Sequence, residues 1–270
     1  MKQQASKPVF FDTSEWLGKS WYRFVQPLVE RVSGIGKLND VYTEVRRPGM
    51  GTGEFAASVL KQLDITWRLV GDGPPSGDGR GMLVVANHPT GIVESLMLVE
   101  ALERIAPAEW LLLSTAFIAS KPEFAGRSVA LDPFGMEGAR DRNARGLRSA
   151  IRTLKGGGVV GVFPSGRVAG RVDAGGRGLD WAWSPQMARI ARRTGARVVV
   201  LRMPLVPGML LRCFPPRWPR ARALLLAREA LRHRNCDFVV RMAAGPDVLP
   251  HDDQEAINHL YQICHESHVS

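Results

Sequence analysis

The stretch MLVVANHPTGIVES, Met82 to Ser95, decides how the rest of the chain is read. Its first five residues, Met82-Leu83-Val84-Val85-Ala86, form an unbroken apolar run, the pattern of a short strand buried on both faces. Asn87-His88 ends the run, Pro89-Thr90-Gly91 turns the chain, and Ile92-Val93-Glu94-Ser95-Leu96-Met97 opens a helical pattern. A histidine thus stands at the carboxyl end of a strand, with a carboxylate one turn into the next helix. Open α/β sheets place ligands at that edge. A histidine there is by itself more often structural. Glu94 changes the reading, because a carboxylate can hold one ring nitrogen and leave the other as a general base. Asn87 and Thr90 can tie the turn through side-chain to backbone bonds.

Strand and helix patterns alternate on both sides of this stretch. Ile65–Val70, Trp110–Leu113, Ser128–Leu131, Val159–Phe163, Arg197–Leu201 and Asp237–Met242 read as strands. Helical spacing runs through Glu54–Leu63, Leu96–Ile105, Arg140–Leu154, Pro185–Thr194, Arg220–His233 and Asp253–His265, and Pro204–Pro219 is irregular. The expected fold is α/β: one domain with a largely parallel central sheet flanked by helices, plus an N-terminal amphipathic helical segment. The segment covers residues 1–36 and the main domain 37–270. Between Phe10 and Val32, Trp16, Trp21, Phe24, Val25 and Leu28 share a helical face beside Lys19, Arg23 and Arg31. That face suits a membrane interface and equally the packing of a helix on its own domain.

Composition narrows the partners. With 270 residues and 45% hydrophobic content the chain can build a full core, and its net charge of +10 favours an acidic partner. The basic segment Arg220–Arg234 lacks a recognised nucleic-acid motif or stacking surface, so no nucleic-acid partner is expected. Cys213, Cys236 and Cys264 are odd in number and lack a Cys-x-x-Cys pair. The tail residues His251, His259, Cys264, His265 and His268 match no standard ligand spacing, so no metal is expected. The residues before Asp12 contain no continuous apolar run, and Glu109 and Arg202 interrupt the longest apolar stretches. The expected location is cytoplasmic, peripheral on the inner face of the cell membrane.

A second strand-end turn follows Val159–Phe163. Pro164-Ser165-Gly166-Arg167 places backbone N–H groups and a guanidinium together, a pattern that suits a phosphate and, alone, an ordinary surface turn. Phe163 occupies the first glycine position of a Gly-x-Ser-x-Gly elbow, so Ser165 is not read as a nucleophile.

Taken together, ANHPTG with Glu94 resembles the first block of the glycerolipid acyltransferase superfamily, the relatives of lysophosphatidic acid acyltransferase. VFPSGR is similar to its third block, Phe-Pro-Glu-Gly-Thr-Arg. Val129–Asp132 and Arg197–Pro204 fall where the second and fourth blocks stand. The similarity runs from about Leu38 to Val248 and looks most like the hemolysin-like branch, which includes acyltransferases linked to ornithine-lipid synthesis. There the acidic residue stands six positions after the histidine, as Glu94 does. The wider superfamily has Asp at five, where this chain has Val93, a rotation of about 100° away on a helix. Ser165 stands for the usual Glu, Arg167 follows Gly166 directly, and Asp132 stands near the place of an Arg.

The resemblance implies transfer of a fatty acyl group from acyl-CoA or acyl carrier protein to a hydroxyl of a lysolipid, a lysophospholipid or lyso-ornithine lipid. It implies no cofactor beyond the thioester co-substrate. His88 would be the general base and Glu94 its partner, with Asn87, Pro164, Ser165, Gly166 and Arg167 binding substrate. Either strand-end turn could supply oxyanion donors. Two other readings remain: a non-catalytic lipid-surface protein of the same fold, and an acyl thioesterase in which water replaces the acceptor. The register gives a structural test: the Glu94 carboxylate should reach the His88 ring while Val93 points elsewhere.

Overall fold

A computed structural model of the chain describes residues 10–11, 22–71, 78–106, 108–132, 138–214 and 218–266. The elements in order are helices α1 (Tyr22–Ser33), α2 (Ile35–Val45) and α3 (Thr52–Gln62), then strands β1 (Thr66–Gly71) and β2 (Met82–Ala86). Helix α4 (Val93–Ile105), β3 (Trp110–Ser114), the short α5 (Ala116–Ala119) and β4 (Ser128–Ala130) follow. After α6 (Ala139–Lys155) come β5 (Val159–Val162), α7 (Pro185–Thr194) and β6 (Arg197–Arg202). Helices α8 (Met209–Cys213) and α9 (Pro219–Arg232), β7 (Asp237–Ala244) and α10 (Asp253–Glu266) close the chain.

The seven strands form one sheet in the order β1-β7-β6-β2-β5-β3-β4. Five neighbouring strands, β6, β2, β5, β3 and β4, run parallel, so their carboxyl ends share one edge. β7 pairs antiparallel with β6 and parallel with β1. The single α/β domain expected from the alternation is present, and the inverted β1–β7 pair is its refinement. Helices α8 and α9 bring the chain back so that β7 starts from the edge where β6 stops. The irregular stretch after Pro204 also contains α8, one short turn of helix.

Strand β2 lies in the middle with both faces covered, which explains its unbroken apolar run. Leu83 and Val85 join the core on the α6, α7 and α10 face, and Val84 and Ala86 the core on the α2, α3 and α4 face. Each fully buried Val or Leu contributes roughly 1.5–3 kcal/mol. Gly161 on β5 lets α4 sit directly on the sheet: a Cβ there would lie 2.5 Å from the Leu102 side chain.

The helix α1 ends at Gly34, whose φ of +79° separates it from α2. Trp16 and Trp21 lie outside the described residues, as do the side chains of Phe24 and Val25. Leu28 and Val32 are exposed, 63% and 58%. No helix among the described residues is long and apolar enough to cross a membrane.

Candidate active site

Parallel pairing of β2 with β5 puts Val85 opposite Val162. The residues that follow these two strands therefore meet: the His88 ring stacks on Phe163, centroids 4.0 Å apart and planes 12° from parallel. The two strand-end turns singled out in the sequence form one site.

The turn after β2 is built around Glu94. Its side chain is fully buried. Oε1 accepts from the backbone N–H of Thr90 at 2.6 Å and of Gly91 at 2.5 Å, and Oε2 from the Thr90 hydroxyl at 2.6 Å. Gly91 has φ +111°, a conformation that side chains disfavour. The turn therefore delays the helix until Val93. As a result Val93 packs in the core beneath α4, and Glu94 faces the histidine. His88 Nδ1 lies 3.2 Å from Glu94 Oε1. This is ion-pair distance, but the ring N–H is not aligned for a good hydrogen bond, and Nδ1 has no other partner among the described residues. Burial pushes the Glu94 carboxyl up. The His88 ring beside it, with the Gly91 and Thr90 donors, outweighs that and holds it down at about 2. Glu94 is thus an anion at neutral pH, placed in the first turn of α4 where the helix dipole also favours it. Val93 is buried in the core, and the Glu94 carboxylate lies beside the His88 ring.

The rest of the turn is held from both sides. Asn87 is buried, and its amide clamps the backbone of Met203: Nδ2 donates to Met203 O at 3.0 Å and Oδ1 accepts from Met203 N at 2.6 Å. It fixes the end of β2 to the end of β6 rather than lining the cavity. His88 O accepts from Ala169 N at 2.8 Å and Pro89 O from Gly170 N at 3.2 Å. His88 N–H donates to Asp180 Oδ1 at 2.9 Å. Asp180, which the sequence reading missed, is almost fully buried, and its other oxygen accepts from Trp183 Nε1 at 2.8 Å. Its sequence signal is slight: a lone carboxylate between Leu179 and Trp181 in a Gly- and Arg-containing loop.

In the second turn Gly166 N–H donates to Phe163 O at 3.0 Å, and Gly166 has φ +65°. Ser165 Oγ donates to Arg167 O at 3.1 Å, and Pro164 O accepts from Ser184 N at 3.0 Å. The Arg167 guanidinium stands 4.9 Å from the Trp181 ring centre, and that of Arg171 stands 4.8 Å from the same ring. The N–H groups of His88, Thr90 and Gly91 are all committed. Those of Ser165 and Arg167 have no partner among the described residues. Of the two turns, only the second keeps donors to offer.

His88, Pro164, Ser165, Gly166 and Arg167 line a cavity of about 710 Å³. Its remaining wall is mainly apolar. Leu38, Val41, Val59, Leu96 and Val99 from α2, α3 and α4 contribute to it, and Tyr42 with Phe55 stands on the same side. The His88 side chain is 15% exposed, and its Nε2 makes no hydrogen bond among the described residues. A ring with one nitrogen against a buried carboxylate and the other free, in the wall of an apolar cavity, can take a proton from a bound hydroxyl or water.

No family model matches the sequence, and no curated protein matches it. Among solved structures the fold is similar to that of the 1-acyl-sn-glycerophosphate (LPA) acyltransferase PlsC from Thermotoga maritima, with a TM-score of 0.50. The two chains are 16% identical over 92% of this chain and 90% of that one. At that identity the likeness is one of fold.

Of the tail residues, His268 lies outside the described residues. Cys264 is fully buried and bonds Leu201 O and Asn87 Oδ1, while the His265 ring lies 4.3 Å from that of Tyr261, tilted by 37°. Among the described residues no group of three or more His, Cys, Asp or Glu is placed to hold a metal ion.

Proposed function

We propose that the chain is an O-acyltransferase that moves a fatty acyl group from acyl-CoA or acyl carrier protein to the hydroxyl of a lysolipid, either a lysophospholipid or a lyso-ornithine lipid. The observation that carries this reading is the His88–Glu94 pair at a mainly apolar cavity of about 710 Å³. The likeness in fold to PlsC supports the reaction class.

The acceptor oxygen attacks the thioester carbonyl carbon as His88 Nε2 takes its proton. Glu94 orients the ring and stabilises the imidazolium, and proton transfer of this kind contributes about 10²–10⁴-fold. The N–H groups of Ser165 and Arg167 face the oxyanion. The tetrahedral adduct collapses, the C–S bond breaks, and the imidazolium proton passes to the departing thiolate. Arg167 holds a phosphate of the acceptor or of the donor's carrier. The acyl chain lies along Leu96, Val99, Val41 and Val59. Asn87 serves by fixing the turn.

The domain acts at an anionic membrane surface without crossing it. Residues 1–36 form the docking segment, and the exposed Leu28 and Val32 on α1, with Met209 at 74% on α8, are consistent with interfacial contact. Purified protein given a long-chain acyl thioester and a panel of lysolipids is expected to acylate at least one, and His88→Ala to abolish the product. Thioester loss without lipid product assigns hydrolysis instead, and vesicle binding without turnover across the panel overturns the enzyme reading.

A further inference from the structure

Every buried backbone N–H needs an acceptor, and for His88 the acceptor is a carboxylate. Asp180 Oδ1 takes the His88 N–H at 2.9 Å, Oδ2 takes the Trp183 indole N–H at 2.8 Å, and the Asp180 carbonyl accepts from the Tyr261 hydroxyl at 3.1 Å. One side chain therefore joins the histidine turn to the segment before α7, and its backbone joins α10. A neutral acceptor would satisfy both N–H groups without burying a charge, which is costly unless that charge is used. The groups facing Asp180 are His88 on the turn, Glu94 on α4, and Tyr261 and Cys264 on α10. Burial pushes the Tyr261 hydroxyl up to about 12 and the Cys264 thiol up as well, so both are neutral near pH 7. Of these groups only the His88 ring can carry a positive charge. Burial also pushes the Asp180 carboxyl up, to about 6, against the bonds from Trp183 and His88, so it is mainly ionised above neutrality.

We propose that Asp180 is a positioning residue for His88: it fixes the main chain of the histidine turn and adds a second negative charge, beside Glu94, that raises the basicity of the ring. The proposal builds on the reading of His88 as the base, but its test requires no turnover. The full-length protein is labelled with ¹³C at the histidine ring, and the His88 signal is assigned by its loss in His88→Gln. The reference is the parent protein, in which the bond from Trp183 Nε1 helps keep the charge on Asp180. In Asp180→Asn with Trp183→Phe, the amide oxygen still accepts the His88 N–H, and the amide nitrogen faces the space the indole N–H has left. Removing a nearby negative charge favours the neutral ring, so the His88 signal is expected to titrate about 0.5–1 pH unit lower than in the reference. Asp180→Ser in the same background, a smaller neutral acceptor, is expected to give the same downward shift and serves if the amide variant does not fold. Either folded neutral variant titrating with the reference overturns the proposal. Because the readout is the ring itself, that result would leave the acyl-transfer reading standing. An inactive protein whose His88 shifts as expected would do the reverse.

Discussion

Glu94→Gln separates the charge of the pair from its geometry. In Glu94, Oε1 faces the N–H groups of Thr90 and Gly91 and the His88 ring, while Oε2 meets only the Thr90 hydroxyl. A glutamine can keep its oxygen in the first position and place its NH₂ beside the hydroxyl, which can turn to accept. The turn then survives and the charge is lost. At 3.2 Å and an effective dielectric near 20, an imidazolium–carboxylate pair is worth about 5 kcal/mol. The ring becomes an imidazolium only as it takes the acceptor proton, so most of that loss falls on the transition state. The expected result is a fall in kcat of about 10³-fold with little change in KM. The assay is initial-rate acyl transfer to the best acceptor, with melting curves showing that the variant is folded. A kcat within tenfold of the parent would refute the role given to the carboxylate. Glu94→Ala should differ in kind, because it leaves three buried donors without an acceptor at about 1–3 kcal/mol each, and its melting temperature should drop sharply. Acid should act through the same group. With its carboxyl held down at about 2 against an ordinary 4.5, Glu94 contributes stability that is present above 4.5 and is lost as the pH falls through 2.

Three further outcomes are expected. Phe163→Ala removes the ring on which His88 stacks at 4.0 Å, and the freed imidazole should lower kcat by about 10–100-fold, read in the same rate assay. Val41→Trp fills the α2 side of the cavity and should shift kcat/KM toward shorter acyl thioesters when C10 and C16 donors compete; an unchanged ratio would place the chain elsewhere. Asp180 should leave its mark on stability with the opposite sign to Glu94. Its carboxyl is pushed up from 3.8 to about 6 by burial, so its stabilising contribution is full below 3.8 and lost as pH rises through 6, about 3 kcal/mol in all. Denaturation of the parent and of Asp180→Asn at pH 5 and pH 8 should show the parent losing more over that interval.

The residues that sequence reading found are those whose partners are either near in the chain or fixed by a general rule. His88 and Glu94 are six residues apart, and one turn and the first turn of α4 bring them together. The Phe163–Arg167 turn is distant, but parallel α/β sheets gather strand carboxyl ends on one edge, so two turns of that kind were bound to be neighbours if β2 and β5 paired. The inversion of β7 and β1 follows no such rule: both strands are only partly buried, and the apolar pattern of a strand reads the same in either direction. Asp180 lies 92 residues from His88 in a loop without periodicity, and nothing in its flanks distinguishes a buried carboxylate from a solvated one. The cavity was hidden for a different reason. Val59 and Leu96 sit at the spacing of inner helix faces, and that spacing is the same whether the facing volume is filled by side chains or left open for a ligand. An apolar stripe encodes which way a helix faces; the open volume depends on how far the facing elements stand apart, which is fixed by contacts elsewhere. Here α4 is drawn onto the sheet through Gly161 and Leu102, while the Glu94 turn sets where that helix begins. The His88 turn is thus both the chemical centre of the proposed reaction and a determinant of the cavity beside it. A change at Gly91, such as Gly91→Ala, should therefore disturb acyl-chain selection as well as rate, because it strains the φ of +111° on which the start of α4 depends.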